Sequence, residues 1–392
     1  MSTGNRGRPA WITTALVTTA SLILAFVVAM VIMVVTDAGI MAKYAYFIAR
    51  PSDALDATFG KIALTFEAMY VGSFGSVTAL TETTAEAAPL IAAGLGVALA
   101  FRAGLFNIGA QGQAVMGALL GAYLGFSVTG LPLLLHLPLV ILAGVLMGAL
   151  WGGVVGLIKA RTGAHEVILT IMMNYVAANI LSYLLKQPFM RQPGASNPIA
   201  PVLEWSATLP RIAGTRLHLG FGLALLAALG CWWLLERTRF GLQLQAVGLN
   251  PDAAATTGTS VGRVTFTTMA LAGGLAGLGG LITVTAPVIL TSYPPQLTVS
   301  IIGTLGFDAI TVALLGRSRP IGVVLAGLLF GALKASRTAM VTIADTPKQL
   351  VDLIQALIVL LVAAPAFVTW LLPFLKERRR GVVRTTPEEA KA

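Results

Sequence analysis

The chain has 392 residues, of which 56% are hydrophobic and only 11% are charged. Because a soluble domain carries about 25% charged residues, this composition excludes a soluble protein and indicates an all-α integral membrane protein surrounded by membrane lipid. The net charge of +10 would suggest nucleic-acid binding in a soluble chain. Here the basic residues lie between and beyond apolar segments, where they orient a membrane protein, so no nucleic acid is expected as a partner.

Ten apolar segments predict about ten transmembrane helices, some of them interrupted, since about 20 residues cross a bilayer. The long segments are 15–35, 132–158, 165–186, 218–235, 264–290 and 350–372. The shorter or interrupted segments are 86–101, 108–126, 300–316 and 320–337. Residues 60–82 carry Lys61, Glu67 and Glu82. Because charge is costly in lipid, we predict an interfacial or extracytoplasmic helix there rather than a buried span.

The arrangement of lysines and arginines predicts the orientation of the chain. Five basic clusters lie in both terminal segments and in three alternate loops: Arg6 and Arg8; Lys159 and Arg161; Arg237, Arg239 and Arg263; Arg317 and Arg319; and Lys376, Arg378, Arg379, Arg380 and Arg384. An even number of spans places all five clusters in the cytoplasm. The division is then a cytoplasmic tail at 1–14, a membrane domain at 15–372 and a cytoplasmic tail at 373–392, with loop 187–217 outside. That loop holds three arginines of its own, which the five clusters outweigh.

Small residues recur at a spacing that suits close helix packing. Glycines repeat every fourth position at Gly144, Gly148, Gly152 and Gly156, and as the pairs Gly273 and Gly277, and Gly327 and Gly331. Small faces let transmembrane helices approach closely, so the pattern predicts a tight bundle. In the last of these segments, Lys334 and Arg337 lie near the predicted outer end and are expected to extend to the membrane surface.

Two segments predict an inverted repeat. Residues 112–121 and 307–316 are identical at five of ten positions, with Gln113 aligned to Asp308. The first segment is predicted to run outward and the second inward, an arrangement that transporters use around their substrate path. Asp308 is an intramembrane carboxylate, which by default is a functional candidate. The alternative is an acid that caps a broken helix or pairs with a distant arginine.

The stretch 100–113, AFRAGLFNIGAQGQ, places polar groups between two apolar segments. Irregular backbone at membrane depth is tolerated where protein or a water-filled path surrounds it. We therefore predict a break between two short membrane segments, with amide side chains that either contact substrate or hold the broken helix in place. The predicted substrate pathway consists of Asn107, Gln111, Gln113, Asn174, Asp308 and Thr311.

Residues 236–263 form the predicted loop best suited to dock another protein. At about 28 residues this loop exceeds the usual 2–8 of helix connections in bundles. Pro251 and Asp252 favour a short helix that Gly258 ends; the alternative is an ordinary ordered loop. The chain has no phosphate-binding loop of its own, since Gly60-Lys61 is followed by isoleucine. Any ATPase must therefore be a separate chain.

Enzyme and metal chemistry find no support in the sequence. The three histidines are not clustered, the single cysteine, Cys231, lies in an apolar segment, and no nucleophile or zinc signature occurs. We expect a transport subunit that binds no metal or cofactor itself.

Four motifs together resemble a known family. They are the stretches 100–113, 165–185, 241–258 and 306–322. They resemble the permease subunits of bacterial ABC importers for nucleosides, within the branched-chain amino acid and simple-sugar permease group, and the resemblance runs from about 85 to 372. It implies a multi-pass protein of the bacterial inner membrane. It also implies three partners: a second permease, an ATPase with two nucleotide-binding modules that binds ATP and Mg, and an extracytoplasmic substrate-binding lipoprotein.

The resemblance also assigns roles by position. The cytoplasmic coupling segment of the family matches Gly241–Gly258, with coupling residues Gly241, Gly248, Asn250, Pro251, Asp252, Ala254 and Gly258. Two positions depart from the family pattern, because Gln111 replaces the usual Glu and Gln245 replaces the usual Arg. The first departure leaves the substrate open, and the second affects docking on the ATPase.

Three functions remain in competition. The leading one is an ATP-driven nucleoside importer, since uncharged substrates suit amide ligands. Within the same class, the substrate is alternatively a simple sugar or a related small solute. From a different class, an ion-coupled secondary transporter would use Asp308 as its coupling carboxylate.

Overall fold

The computed structural model describes residues 10–286 and 296–371. The predicted tail 373–392, residues 1–9 of the predicted tail 1–14, and residues 287–290 of the predicted span 264–290 lie outside the described residues. The remainder of the N-terminal segment is already helical, because the first helix begins at Ala10 rather than at residue 15.

Most of the described residues form helices. The first eight are α1 Ala10–Thr36, α2 Ala38–Tyr44, α3 Pro51–Ser73, α4 Val77–Arg102, α5 Ala110–Ser127, α6 Leu133–Thr162, α7 Glu166–Leu184 and α8 Leu219–Arg237. The next eight are α9 Arg239–Leu249, α10 Pro251–Thr256, α11 Val261–Thr285, α12 Leu305–Leu315, α13 Pro320–Ala335, α14 Arg337–Ala344, α15 Gln349–Ala363 and α16 Pro365–Leu371. Between α7 and α8 the chain is irregular, with one 3₁₀ turn at Trp205–Ala207.

Seven helical segments among the described residues are long and apolar enough to cross a membrane. They are α1, α4, α6, α7, α8, α11 and the combined α13–α14 segment. The three other predicted spans correspond to α5, which has 18 residues, α12, which has 11, and α15, which has 15. The predicted all-α multi-pass membrane class is therefore confirmed, with three elements shorter than an ordinary span.

The prediction of a single helix outside the membrane spans over residues 60–82 is wrong for residues 77–82, which belong to a candidate span, while the interfacial position of residues 60–73 stays a prediction. Residues 60–82 belong to two helices, α3 and α4, because a turn at 74–76 separates them and the Ser76 hydroxyl accepts the Ala79 N–H at 3.1 Å to start α4. The predicted span 86–101 consequently begins nine residues earlier, at Val77. Glu82 is accommodated in this helix because the guanidinium of Arg216 lies 2.6 Å from its carboxylate.

Two further predicted boundaries are corrected. The span 350–372 is not continuous, since α15 ends at Ala363 and α16 begins at Pro365, whose missing N–H cannot continue the helical ladder. The loop 236–263 is largely helical, because α9 precedes the predicted short helix. That short helix, α10, begins at Pro251 as predicted, and Gly258 follows it with φ of +82°.

Helix α11 lies at the centre of the bundle, packed against α4, α5 and α6. Its glycines meet the glycine face of α6: a Cβ on Gly148 would overlap the carbonyl of Gly273, and a Cβ on Gly273 would overlap the carbonyl of Gly148. On another side, a Cβ on Gly117 of α5 would overlap the backbone of Gly277. The glycine repeats therefore bring helix backbones into contact, as their spacing predicts.

Helices α5 and α12 start at the same place and run to opposite ends of the bundle. At the start of α12, a Cβ on Gly306 would overlap the backbone of Gln111 at the start of α5. Towards its end, α5 packs against the irregular segment between α7 and α8, since Gly125 touches Leu203. The turn after α12 instead lies at the end of α4, where Arg102 Nε donates to the Ser318 carbonyl at 3.0 Å. This opposite course matches the predicted inverted repeat.

Candidate functional site

The break between α4 and α5 covers residues 103–109. Gly104 has φ of +71°, a left-handed conformation that favours glycine, and the Leu105 N–H donates back to the Ala100 carbonyl at 3.0 Å. These features end α4 tightly. The chain can then turn and begin α5 without a continuous span.

Two buried amide side chains stabilise this break. Asn107 is fully buried and Gln113 is nearly so. The Asn107 Nδ2 group donates to Gln113 Oε1 at 3.0 Å, and Gln113 Nε2 donates to Asn107 Oδ1 at 3.3 Å. The same Asn107 Oδ1 accepts the Gly109 N–H at 3.0 Å. The two amides therefore satisfy one another and fix the backbone just before α5.

The start of α5 is capped by a residue from another helix. Gly109, at its N-cap position, has no side chain to satisfy the first N–H groups. Asn174 of α7 supplies the missing acceptor, since its Oδ1 accepts the Gly112 N–H at 2.8 Å while its Nδ2 donates to the Ile108 carbonyl at 3.0 Å. A Cβ on Gly112 would lie 3.0 Å from Asn174 Oδ1, so this glycine allows the close approach.

The start of α12 is capped in the same manner, by Gln111 of α5. Its Oε1 accepts the Gly306 N–H at 2.7 Å, and its Nε2 donates to the Gly303 carbonyl at 2.8 Å. A glutamate, which the resemblance implies at this position, would offer acceptors for the first bond and no donor for the second. Gln111 thus makes two bonds where a carboxylate makes one.

The capped start of α5 lies beside the middle of α7. Asn174 is eight residues along α7 from Glu166, in a helix that ends at Leu184, which corresponds to about 12 Å at the helical rise per residue. Two positive helix ends and a set of amide groups therefore meet beside a helix that is long and apolar enough to cross a membrane.

Asp308, in the first turn of α12, pairs with Lys334 of α13. The Lys334 Nζ lies 2.6 Å from Asp308 Oδ2, and both side chains are about 85% buried, with exposed fractions of 16% and 15%. The Thr304 hydroxyl also donates to Asp308 Oδ2 at 3.1 Å. The prediction that Lys334 extends to the membrane surface is wrong, because this side chain is buried against Asp308. For Arg337, which pairs with the exposed Asp352, it stays a prediction.

Thr311, the last of the predicted pathway residues, is buried one turn further along α12. Its hydroxyl donates to the Phe307 carbonyl of its own helix at 3.4 Å. The structure thus gathers Asn107, Gln111, Gln113 and Asn174 around the start of α5, and Asp308 and Thr311 follow on α12. Their contact with a substrate stays a prediction.

The predicted coupling segment packs directly against the break. A Cβ on Gly248 of α9 would overlap the Arg102 carbonyl, and Gly104 lies against the same Gly248. The Asn250 side chain accepts the Asp252 and Ala253 N–H groups at 3.0 and 3.1 Å, which caps α10.

The remaining coupling residues shape the two helices of this segment. Gly241 at the start of α9 sits against the backbone of Leu234 and Leu235, and Ala254 of α10 is buried. Gln245 donates to the Leu235 carbonyl at 3.0 Å. This bond holds α9 against the end of α8.

Sequence reasoning missed several contacts around the site. The clearest case is the pairing of Lys334 with Asp308. A lysine inside an apolar helix is as unusual as an aspartate there, so the two charges together could have indicated an ion pair. Glu166, the first residue of α7, is a second case. In the structure it bonds Lys159 at 2.7 Å and accepts the Phe106 N–H at 3.4 Å, which ties the break to α6 and α7.

The sequence as a whole identifies the class of protein. Residues 79–363 match the family described as the permease component of branched-chain amino acid transport systems, and the chain belongs to that family. It is thus a multi-pass membrane permease subunit rather than an enzyme. No solved structure matches the chain.

Three relatives are similar over most of their length. The guanosine ABC transporter permease NupP of Bacillus subtilis is 36% identical over 81% of this chain and 90% of its own. The glucose ABC transporter permease TsgB13 of Haloferax volcanii is 34% identical over 76% of this chain and 80% of its own. The nucleoside ABC transporter permease NupB of Lactococcus lactis is 31% identical over 79% of this chain and 86% of its own.

Proposed function

We propose that this chain is the transmembrane permease subunit of an ATP-driven importer for nucleosides in the bacterial cytoplasmic membrane. Two of the relatives above carry guanosine or nucleoside transport in their names. A nucleoside is uncharged, and its hydroxyls and base edges require groups that both donate and accept hydrogen bonds. Carboxamides do both.

The observation that carries the proposal is the meeting of two interrupted helices whose first N–H groups are capped by amides from neighbouring helices. Such caps are exchangeable, because a substrate hydroxyl or carbonyl can replace Asn174 at Gly112 or Gln111 at Gly306. The interrupted backbone is of the kind that lines a path in transporters. In this proposal the six predicted pathway residues line the path when the caps open.

The coupling segment supplies the second part of the mechanism. Leu242 and Leu249 of α9 are 71% and 89% exposed, an apolar surface suited to docking on another protein. Motion of α9 and α10 would reach the break directly, since Gly248 touches the Arg102 carbonyl. The Arg102 side chain extends the connection to the turn after α12 through Ser318.

The proposed assembly contains three further components: an ATPase with two nucleotide-binding modules, which binds ATP and Mg; a second permease; and an extracytoplasmic lipoprotein that captures substrate. The chain itself would bind no cofactor. The proposed cytoplasmic face is the end of the bundle that carries Arg102 and α9, because basic residues from three loops gather there, among them Lys159, Arg237 and Arg317. Both termini would lie on that face.

The test uses uptake of radiolabelled guanosine by cells that express the whole transporter. We expect Gly248→Ala to abolish most uptake while ATP hydrolysis by the assembled transporter persists, because the added methyl separates α9 from the break. Gly230→Ala is the matched control, since its Cβ would meet open space on α8. Wild-type uptake by Gly248→Ala would contradict the coupling route. Uptake that persists without the ATPase would contradict the ATP-driven reading.

One relative favours a second substrate, because the glucose permease of Haloferax volcanii is nearly as similar as NupP. Uptake of labelled glucose in place of guanosine by the same cells would support this alternative. The ion-coupled mechanism has less support, since Asp308 is already neutralised by Lys334 at 2.6 Å and is not a free carboxylate.

A further inference from the structure

A large cavity opens at the end of the bundle that carries Arg102. It has a volume of about 1330 Å³ and lies between α1, the end of α8 and the turn joining α12 to α13. Thr18 and Thr19 of α1 line one wall, and Trp232 of α8 lines another. Tryptophan is enriched where a membrane meets water, and Trp232 lies near the end of α8, a helix long and apolar enough to cross a membrane.

The cavity is positively charged. Arg102, Arg317 and Arg319 line it, and Glu236 is the one carboxylate among its described lining residues. Neither Arg317 nor Arg319 forms an ion pair with a carboxylate in the described part of the chain. The net charge of the lining therefore favours an anionic ligand.

The turn that carries two of these arginines has an unusual backbone. Arg317 and Ser318 both have positive φ, at +53° and +51°, in a region that non-glycine residues enter at a cost. The bond from Arg102 Nε to the Ser318 carbonyl stabilises this turn. The bond places Arg102 beside the turn that carries Arg317 and Arg319.

An apolar groove continues from the charged cavity along α1. It has a volume of about 680 Å³ and shares Thr19 with the cavity. Its walls come from α1, α3 and the last residue of α2, and include Phe26, Met30 and Phe66. From Thr19 to Val35 the groove follows α1 for about 24 Å at the helical rise. This length exceeds half of a hydrocarbon core of about 30 Å.

We propose that the cavity and groove together bind one anionic phospholipid. The phosphate lies among Arg102, Arg317 and Arg319, and an acyl chain lies in the groove along α1. Anionic lipids concentrate in the cytoplasmic leaflet, which is where the basic clusters predict this end of the chain to lie. A zwitterionic lipid is disfavoured because its own cation meets the same arginines. An uncharged transport substrate has no group that requires them, so this site is separate from the proposed substrate path.

The first experiment measures lipid binding to the purified full chain by native mass spectrometry, with dioleoyl phosphatidylglycerol and dioleoyl phosphatidylcholine as probes. We expect phosphatidylglycerol to bind more tightly to the wild type. An arginine near a membrane surface contributes about a fivefold increase in affinity for anionic lipid. The double variant Arg317→Gln/Arg319→Gln should therefore weaken phosphatidylglycerol binding about 25-fold. The control Arg161→Gln/Arg263→Gln makes the same charge change at two exposed arginines outside the cavity.

A second variant tests the groove without altering charge. Val27 lines the groove and is half-exposed, so Val27→Trp should fill the groove and weaken binding of the same lipid. Leu150→Trp, at an exposed position of α6 outside the groove, should leave binding unchanged. This arm stands even if the arginine variant fails to fold.

Four results would overturn the proposal. The first is lipid binding at the wild-type level by both variants, and the second is equal binding of phosphatidylcholine and phosphatidylglycerol. The third is glycerol phosphate alone binding as tightly as the intact lipid, which would indicate a site for free phosphate. The fourth is a dimer of the chain that dissociates in the arginine variant without any loss of bound lipid, which would identify a second copy as the occupant.

Discussion

The ion pair between Asp308 and Lys334 gives the sharpest test of the interior of this protein. At 2.6 Å and an effective dielectric constant of about 20, the gross attraction is about 6 kcal/mol. The cost of removing both charges from water offsets most of it. Loss of one partner leaves the other buried and unpaired, so either single variant should lower the free energy of unfolding by about 3–5 kcal/mol.

The variants are Asp308→Asn, Lys334→Met and the double substitution. Asparagine can still accept the bond from the Thr304 hydroxyl, and methionine retains much of the lysine's apolar volume. We expect the double variant to be more stable than the sum of the single losses predicts, with a coupling energy of about 2 kcal/mol or more. Thermal unfolding in detergent micelles measures all three. If the single effects simply add, the pair does not stabilise the protein and the reasoning is refuted.

The same variants separate the two transport classes. An ATP-driven permease does not require an ionisable group at position 308, so the double variant should retain substrate uptake if it is stable. A stable double variant without uptake would favour ion coupling through Asp308 only if ATP hydrolysis by the assembled transporter is also insensitive to substrate; substrate-stimulated hydrolysis would instead leave Asp308 as a pathway residue of the ATP-driven importer. Arg337→Gln is a useful control, because its partner Asp352 is mostly exposed and surface pairs contribute little.

Three further predictions follow from single contacts. Gly148→Ala should destabilise the bundle by about 1–3 kcal/mol in thermal unfolding, because the methyl overlaps Gly273, whereas Gly230→Ala should not. Gln111→Leu should cost about 1–3 kcal/mol by leaving the Gly306 N–H without its acceptor; wild-type stability would contradict the cap. Burial and the neighbouring Arg216 lower the pKa of His218 from 6.5 to about 4. As pH falls through that interval only the unfolded chain gains the proton, so stability should fall by up to about 3 kcal/mol. His218→Asn keeps the acceptor for the Gly220 N–H and should remove this pH dependence.

The sequence determined the class of the protein and much of its helix pattern. An apolar chain with few charges belongs in a membrane, and glycines at every fourth position of a helix suit contact with a neighbouring helix. The glycines of α6 and α11 do meet, as Gly148 and Gly273 illustrate. The short helix at Pro251 was also predictable, because proline and aspartate have well-defined preferences in the first turn of a helix.

Only the tertiary structure decided the partners of the polar residues. Asn174 and Gln111 cap helices to which they do not belong, across 62 and 195 positions of the chain. No local preference predicts such a contact, because it depends on how the helices pack. The sequence left Asp308 with two explanations, and the packing of α12 against α13 supplied Lys334 as its partner.

The boundaries of the helices likewise depend partly on the sequence and partly on tertiary contacts. The charge of Glu82 made the predicted start of α4 too late, since a charged residue was not expected within a membrane span. The arginine that compensates this charge, Arg216, lies 134 positions away in the chain. Hydropathy reflects the cost of placing a charge in lipid. It contains no information about an oppositely charged residue that folding brings close. The sequence thus fixes which segments enter the membrane, and the tertiary structure decides where polar groups are tolerated within it.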